Sequence, residues 1–176
     1  MAVGQAIEGA TGIGLFHNHV SIEPVLRFFP FGSPSFVRLV DGFRRSFFAE
    51  VARSDLRGLT FTYVWDLANA NDLAFVSQAC QTFGSAGVEV ALVELKATLD
   101  QRLNRSESRL REKPSKRDVE QSEKYLLSLE NSAHQLNSNG PLPLPYRHML
   151  LDNTHLSVAE AASAIITELG LLRSVA

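Results

Sequence analysis

The strongest constraint on the fold of this chain is the alternation of its strand-like and helix-like periods. Leu59–Trp65 (L-T-F-T-Y-V-W) and Val88–Leu95 (V-E-V-A-L-V-E-L) are rich in β-branched and aromatic residues and read as strands. Between them, Asn71 or Asp72 caps a helix that reaches about Gly84. Tyr146–Leu151 reads as a last strand, and Ser157 then caps a closing helix to about Leu172, with Val158, Ala161, Ala162, Ile165 and Leu169 inward. Toward the amino terminus, Ala2–Thr11 places Val3, Ile7 and Ala10 at helical spacing and stops at Gly12, and Gly14–His17 is a short apolar run. Ser33-Pro34 opens a helix to about Arg53, with Phe36, Val40, Phe43, Phe47 and Val51 on one stripe. Thr98 can cap a helix carrying Arg102 and Arg105. Asp118–Gln135 reads as a polar helix and Asn137–Pro145 as a turn-rich connector. Strands alternating with helices at this spacing predict an α/β fold, a parallel sheet with helices on both faces.

Composition narrows the partners. With 176 residues, 45% hydrophobic and 20% charged, the chain is long enough for one domain, 1–176, with its own core. The formal net charge of -2 argues against a surface that coats nucleic acid. No apolar stretch approaches the roughly 20 residues that cross a bilayer, and the first residues lack the basic and apolar regions of a signal peptide. The expectation is therefore no nucleic-acid partner and no membrane. The single cysteine, Cys80, forms no internal disulfide, which fits a reducing cytoplasm, and no nearby cation in sequence lowers its pKa.

Parallel α/β sheets bind ligands at the carboxyl ends of their strands. That edge is predicted to hold His17-Asn18-His19, Trp65-Asp66, the segment after Leu95, and Asp152-Asn153-Thr154. The segment after Leu95 leads into Gln101–Asp118, which gathers seven of the seventeen Lys and Arg residues. Arg suits phosphate because its planar fork donates in pairs. Arg102, Arg105 and Arg109 share one face if the helix continues; the alternative is a solvated helix face. His17-x-His19 is a metal pair, a substrate contact or a structural pair, with metal the least favoured. Asp66 either orients magnesium through water, accepts a proton from an alcohol, or is a turn aspartate.

In order along the chain, L-F-H-N-H (15–19), F-F-P-F-G-S-P (28–34), F-T-Y-V-W (61–65), V-E-L-K-A-T-L-D-Q-R-L-N-R (93–105), K-P-S-K-R-D (113–118) and L-D-N-T-H-L-S-V-A-E (151–160) resemble a family of small P-loop NTPases of the shikimate-kinase-like or AAA-family ATPase type. The resemblance covers nearly all of the chain. It implies a three-layer α/β/α sheet and an ATP-dependent phosphotransferase acting, with Mg2+, on a small hydroxylated metabolite or nucleoside. It further implies a basic lid at about 102–118, with Arg105, Arg109, Arg111 and Asp66 in catalysis and Arg102, Asp152, Asn153 and Thr154 on the nucleotide. His17, Asn18, His19 and Trp65 would face the acceptor. Such kinases hold phosphates with a strand and a G-x-x-x-x-G-K-[ST] loop. Here there is no Gly-Lys pair, and M-A-V-G-Q-A-I (1–7) resembles the residues just after that lysine. The expectation is a reading frame that begins upstream, with negligible turnover by the chain as it stands. The alternative is a degenerate, non-catalytic binding or regulatory module. A sheet of order 2-3-1-4-5 without its first strand would leave a slot between Leu59–Trp65 and Val88–Leu95, and with it a tendency to self-associate.

Overall fold

The computed structural model describes residues 1–112, 127 and 134–172, with 106–112 described through their backbone alone. The expected helix Asp118–Gln135 and the basic residues Lys113, Lys116 and Arg117 lie essentially outside these residues. The elements are α1 (Ala2–Thr11), β1 (Gly14–His17), α2 (His19–Leu26), α3 (Pro34–Arg53), β2 (Leu59–Thr62), α4 (Ala70–Ser85), β3 (Ala91–Lys96), α5 (Leu99–Glu112), β4 (Arg147–Asp152) and α6 (Val158–Leu169).

The molecule is a mixed α/β structure with two small parallel sheets. β1 pairs with β2, matching His17 to Thr62. β3 pairs with β4, matching Ala91 to Arg147 and Lys96 to Asp152. Among the described residues no ladder joins β2 to β3, which agrees with the slot expected between Leu59–Trp65 and Val88–Leu95, and the four parallel strands form two two-stranded sheets. A two-stranded pair is marginal by itself in water and needs helices packed on it. Phe16 of β1, Phe48 of α3, and Phe75, Val76 and Cys80 of α4 form one cluster, against which Phe61 of β2 and Leu92 of β3 also pack. Ile7 of α1 and Ala162, Ile165 and Ile166 of α6 form a second, which receives Val93 of β3 and Leu151 of β4. Leu92 and Val93 are neighbours on one strand, and the pleat sends them to opposite clusters. β3 thus sends side chains to both helix pairs, α3/α4 and α1/α6.

Local signals explain the element ends. Ser33 accepts from the Phe36 N–H and is followed by proline at the first helical position of α3. Ser157 and Glu160 form a reciprocal capping box on α6. Gly12 ends α1 with φ of 73°, a left-handed conformation that costs a residue without a Cβ little. Arg57 donates to the carbonyls of Thr11 and Leu171, so one guanidinium closes the last turn of α1 and the segment following α6.

Three expectations are corrected. The buried stripe of α3 is Phe36, Val40, Arg44 and Phe48, one residue round from the expected Phe43, Phe47 and Val51. Phe43 is 48% exposed, because the inward position goes to a cation with its own polar and aromatic partners. Val158 is exposed, since it opens the first turn of α6 beyond the core. β2 ends at Thr62 short of the expected Trp65, β3 starts at Ala91 instead of Val88, and α2 forms with Pro24 inside it.

Candidate functional site

The carboxyl ends of the two sheets lie on one edge, because a single segment binds both. From β2, Asp66 accepts the Gln135 N–H at 3.0 Å and meets His134 Nδ1 at 2.5 Å, and the Leu67 N–H donates to the Gln135 carbonyl at 2.8 Å. From β3, the Glu94 carboxylate accepts the Asn137 amide at 2.8 Å and the Ser138 N–H at 2.7 Å, with His148 Nε2 at 3.3 Å. Residues His134–Ser138 therefore strap the end of β2 to β3.

The strap's two carboxylates stay ionised. Hydrogen bonds from His134 and from the Gln135 and Ala68 N–H groups hold the Asp66 carboxyl below its ordinary value. Burial pushes Glu94 up, but donation from Asn137 and Ser138 and the proximity of His148 outweigh it, and its net shift is downward.

At the β1 end, His17, Asn18 and His19 stand together, with the two imidazole rings 6.2 Å apart. The Asn18 N–H donates to Thr62 Oγ1 across the ladder at 3.2 Å. Behind it Arg44, 4% exposed, donates to Asn18 Oδ1 and, at 2.8 Å, to Ser21 Oγ, with its guanidinium 5.4–5.7 Å from the rings of Phe61, Tyr63 and Phe75. Tyr63 donates to Asp72 at 2.9 Å, and the same carboxylate accepts the Asp66 N–H at 2.9 Å. Burial, reinforced by Asp72, pushes the Tyr63 phenol up. Trp65 packs against the aromatic cluster, and its Nε1, like His17 Nδ1, is buried with no hydrogen-bond partner among the described residues.

At the β3 and β4 ends, Asn153 and Thr154 are each 7% exposed. Arg105 donates from one nitrogen toward the carbonyls of Asn153, Thr154 and Leu156, at 2.6, 3.3 and 3.2 Å. Asp152 accepts the Thr154 N–H at 2.9 Å, and bonding from Thr154 holds its carboxyl below the ordinary value. Thr154 Oγ1 in turn accepts the Thr98 N–H at 3.2 Å, fixing the entry to α5. Beside this loop is an open cleft of about 290 Å³, lined by Lys96, Thr98, Arg102, His134, Leu136 and Asn137 among others. Among the described residues, no three His, Cys, Asp or Glu side chains gather as a metal site.

Of the expected site residues, His17, Asn18, His19, Trp65 and Asp66 thus group around β1 and β2, and Arg102, Arg105, Asp152, Asn153 and Thr154 around β3 and β4. The side chains of Arg109 and Arg111 lie outside the described ones. Sequence reasoning missed Arg44, Tyr63, Asp72, Glu94, Lys96, His134 and Asn137. Glu94 had a usable signal, a carboxylate in mid-strand, which is rarely buried without partners.

The fold is similar to the crystal structure of a provisionally assigned kinase from Chloroflexus aurantiacus, with a TM-score of 0.60, 15% sequence identity, and coverage of 98% of this chain and 90% of that one. At that identity the likeness is one of fold. No protein-family model matches the sequence, and no curated protein matches it. No helix among the described residues is long and apolar enough to cross a membrane.

Proposed function

We propose that this chain is a kinase-type P-loop NTPase domain, a three-layer α/β/α arrangement of the kind that transfers the terminal phosphoryl group of ATP to a small hydroxylated metabolite or nucleoside, with negligible turnover as it stands because it contains no G-x-x-x-x-G-K-[ST] loop. The observation that carries the reading is the gathering of both strand ends, their polar loops and a basic cleft on one edge, joined by the His134–Ser138 strap. Helix pairs on opposite faces of β3 and the fold likeness to a provisionally assigned kinase support it.

In this reading Arg102, Arg109 and Arg111 neutralise phosphate charge, with the loop Asp152–Thr154 on the nucleotide side and His17, Asn18, His19 and Trp65 on the acceptor side. Catalysis would rest on positioning and charge stabilisation more than on covalent chemistry. Mg2+ supplies charge neutralisation when it arrives with the nucleotide, and it commonly takes only one or two protein carboxylates. Asp66 fits that use better than proton abstraction, since a lowered pKa weakens a base.

A second reading, a non-catalytic binding or regulatory module, is favoured by one observation: Arg105 and Asp66 are already committed to backbone groups. Phosphorus NMR of the chain preceded by a strand and G-x-x-x-x-G-K-[ST] loop, with MgATP and a panel of nucleosides and polyols, separates the two. Acceptor-dependent loss of the γ-phosphate signal supports the transferase, and bound but unconsumed ATP supports the module. Absence of both binding and transfer overturns both.

A further inference from the structure

We infer that the tip of the α2–α3 hairpin docks on the surface of an anionic phospholipid bilayer, inserting Phe28 and Phe31 while Arg27 and Arg38 meet the headgroups. This role is independent of the kinase reading. It departs from the expectation of no membrane partner, which rested on segments that cross a bilayer; a tip that enters one leaflet needs no such segment.

The two helices carry a small core of their own, in which Ile22 of α2 packs with Phe36 and Val40 of α3 and with the half-buried Val25. The connection between them is a built turn. The Phe28 and Phe29 N–H groups both donate to the Val25 carbonyl at 3.0 Å, the Ser33 N–H donates to the Pro30 carbonyl at 3.1 Å, and Gly32 takes a φ of 75°. Phe31 is steadied by Phe36, with ring centroids 5.0 Å apart. Even so, Phe28 is 77% and Phe31 70% exposed. Among the described residues, eight of the sixteen exposed large hydrophobic side chains fall between Val20 and Phe43, so the exposed apolar surface is concentrated on this hairpin instead of scattered. Concentrated apolar surface of that kind marks a contact with a membrane or with another protein.

Charge decides between the two. Residues 24–40 include Arg27 and Arg38 and no Asp or Glu. The acids that flank this stretch face cations of their own, Glu23 at 3.8 Å from His19 and Asp41 at 3.9 Å from Arg44. Arg27 and Arg38 are both exposed, and Arg38 bonds only a neutral group, the Ser35 hydroxyl at 3.2 Å. Anionic headgroups can accept from both guanidinium groups while the rings pass beneath them, since Arg lays its apolar stem along the boundary and keeps its charge in the polar layer. A protein groove would take the rings but would not account for the missing acids.

Flotation of the purified chain with vesicles of phosphatidylcholine alone, and of equal parts phosphatidylcholine and phosphatidylglycerol, tests this, because vesicle-bound chain rises and aggregates sink. Binding to the mixed vesicles is expected to be at least about tenfold stronger and to weaken as salt is raised. The double variants Phe28→Ser/Phe31→Ser and Arg27→Gln/Arg38→Gln should each lower it at least about tenfold, whereas Leu150→Ser, an exposed apolar position on β4, should leave it unchanged. Urea midpoints check folding. Because Phe31 touches Phe36, Phe28→Ser alone serves as the second variant, with a loss of at least about threefold. The inference is overturned if the chain does not float with the mixed vesicles, if it binds phosphatidylcholine equally well, or if the Phe variants bind like Leu150→Ser. Failure to float, together with self-association that disappears in Phe28→Ser/Phe31→Ser, would also overturn it and assign the tip to a protein contact.

Discussion

Arg44 occupies a position where an apolar pattern predicts a phenylalanine neighbour instead. It is tolerated in the core because Asn18, Ser21 and the faces of three aromatic rings replace its water, with Asp41 at 3.9 Å. Arg44→Met should therefore cost about 2–4 kcal/mol by urea denaturation, since it leaves Asn18 and Ser21 without their donor. A cost below about 0.5 kcal/mol would reduce the cation to a passive filler. Arg105 makes a sharper test, since the resemblance implies catalysis and the geometry shows a loop clamp. Arg105→Ala should lower stability by about 1.5–3 kcal/mol through the freed carbonyls of Asn153, Thr154 and Leu156. An exposed, purely catalytic arginine would change it by under about 0.5 kcal/mol. Neither partner set was legible in the sequence, because Asn18, Ser21 and Arg44 are brought together only by the packing of α2 on α3. Lys96 and His134 were missed for the same reason, being far apart in the chain and joined only by the strap.

At the scale of elements, much was legible. The helix limits Ala2–Thr11 and Pro34–Arg53 follow from a glycine stop and a Ser-Pro start, local signals that need no tertiary context. The strap was not, because Asn137–Pro145 reads as a turn-rich connector and its two grips come from carboxylates at 66 and 94. Those grips make it acid-sensitive. Asp66 and Glu94 both have folded-state pKa values below their unfolded values of about 3.9 and 4.3. Their contribution is therefore fully present above about pH 5 and is lost as pH falls through the lower, folded-state values. Urea midpoints should be flat from pH 7 to about 5 and fall below about pH 4, with a shallower fall in Asp66→Asn. An equally steep fall in that variant would remove Asp66 from the effect. At pH 7, Glu94→Ala should cost about 1–3 kcal/mol, because Asn137, Ser138 and His148 lose their acceptor.

Over the whole molecule, the α/β class was legible from periodicity, whereas the break between β2 and β3 was expected only from the resemblance. Periodicity identifies strands but does not say which edges meet. Two two-stranded sheets expose more strand edge than one sheet of four, and unpaired edges template pairing with other chains. Sedimentation of the purified chain is therefore expected to show species heavier than 19.4 kDa that grow with concentration. A strict monomer at high concentration would show the edges to be covered. The central claim is that the carboxyl ends of both sheets form one phosphate-binding edge. Its most direct test is a proton–nitrogen correlation spectrum of the labelled chain titrated with MgATP. Shifts are expected to concentrate at Lys96–Arg102, His134–Asn137 and Asn153–Thr154, with the amino ends of β2 and β3 near Gly58 and Val90 unmoved. Shifts confined to those amino ends, or no shifts at saturating nucleotide, would contradict it.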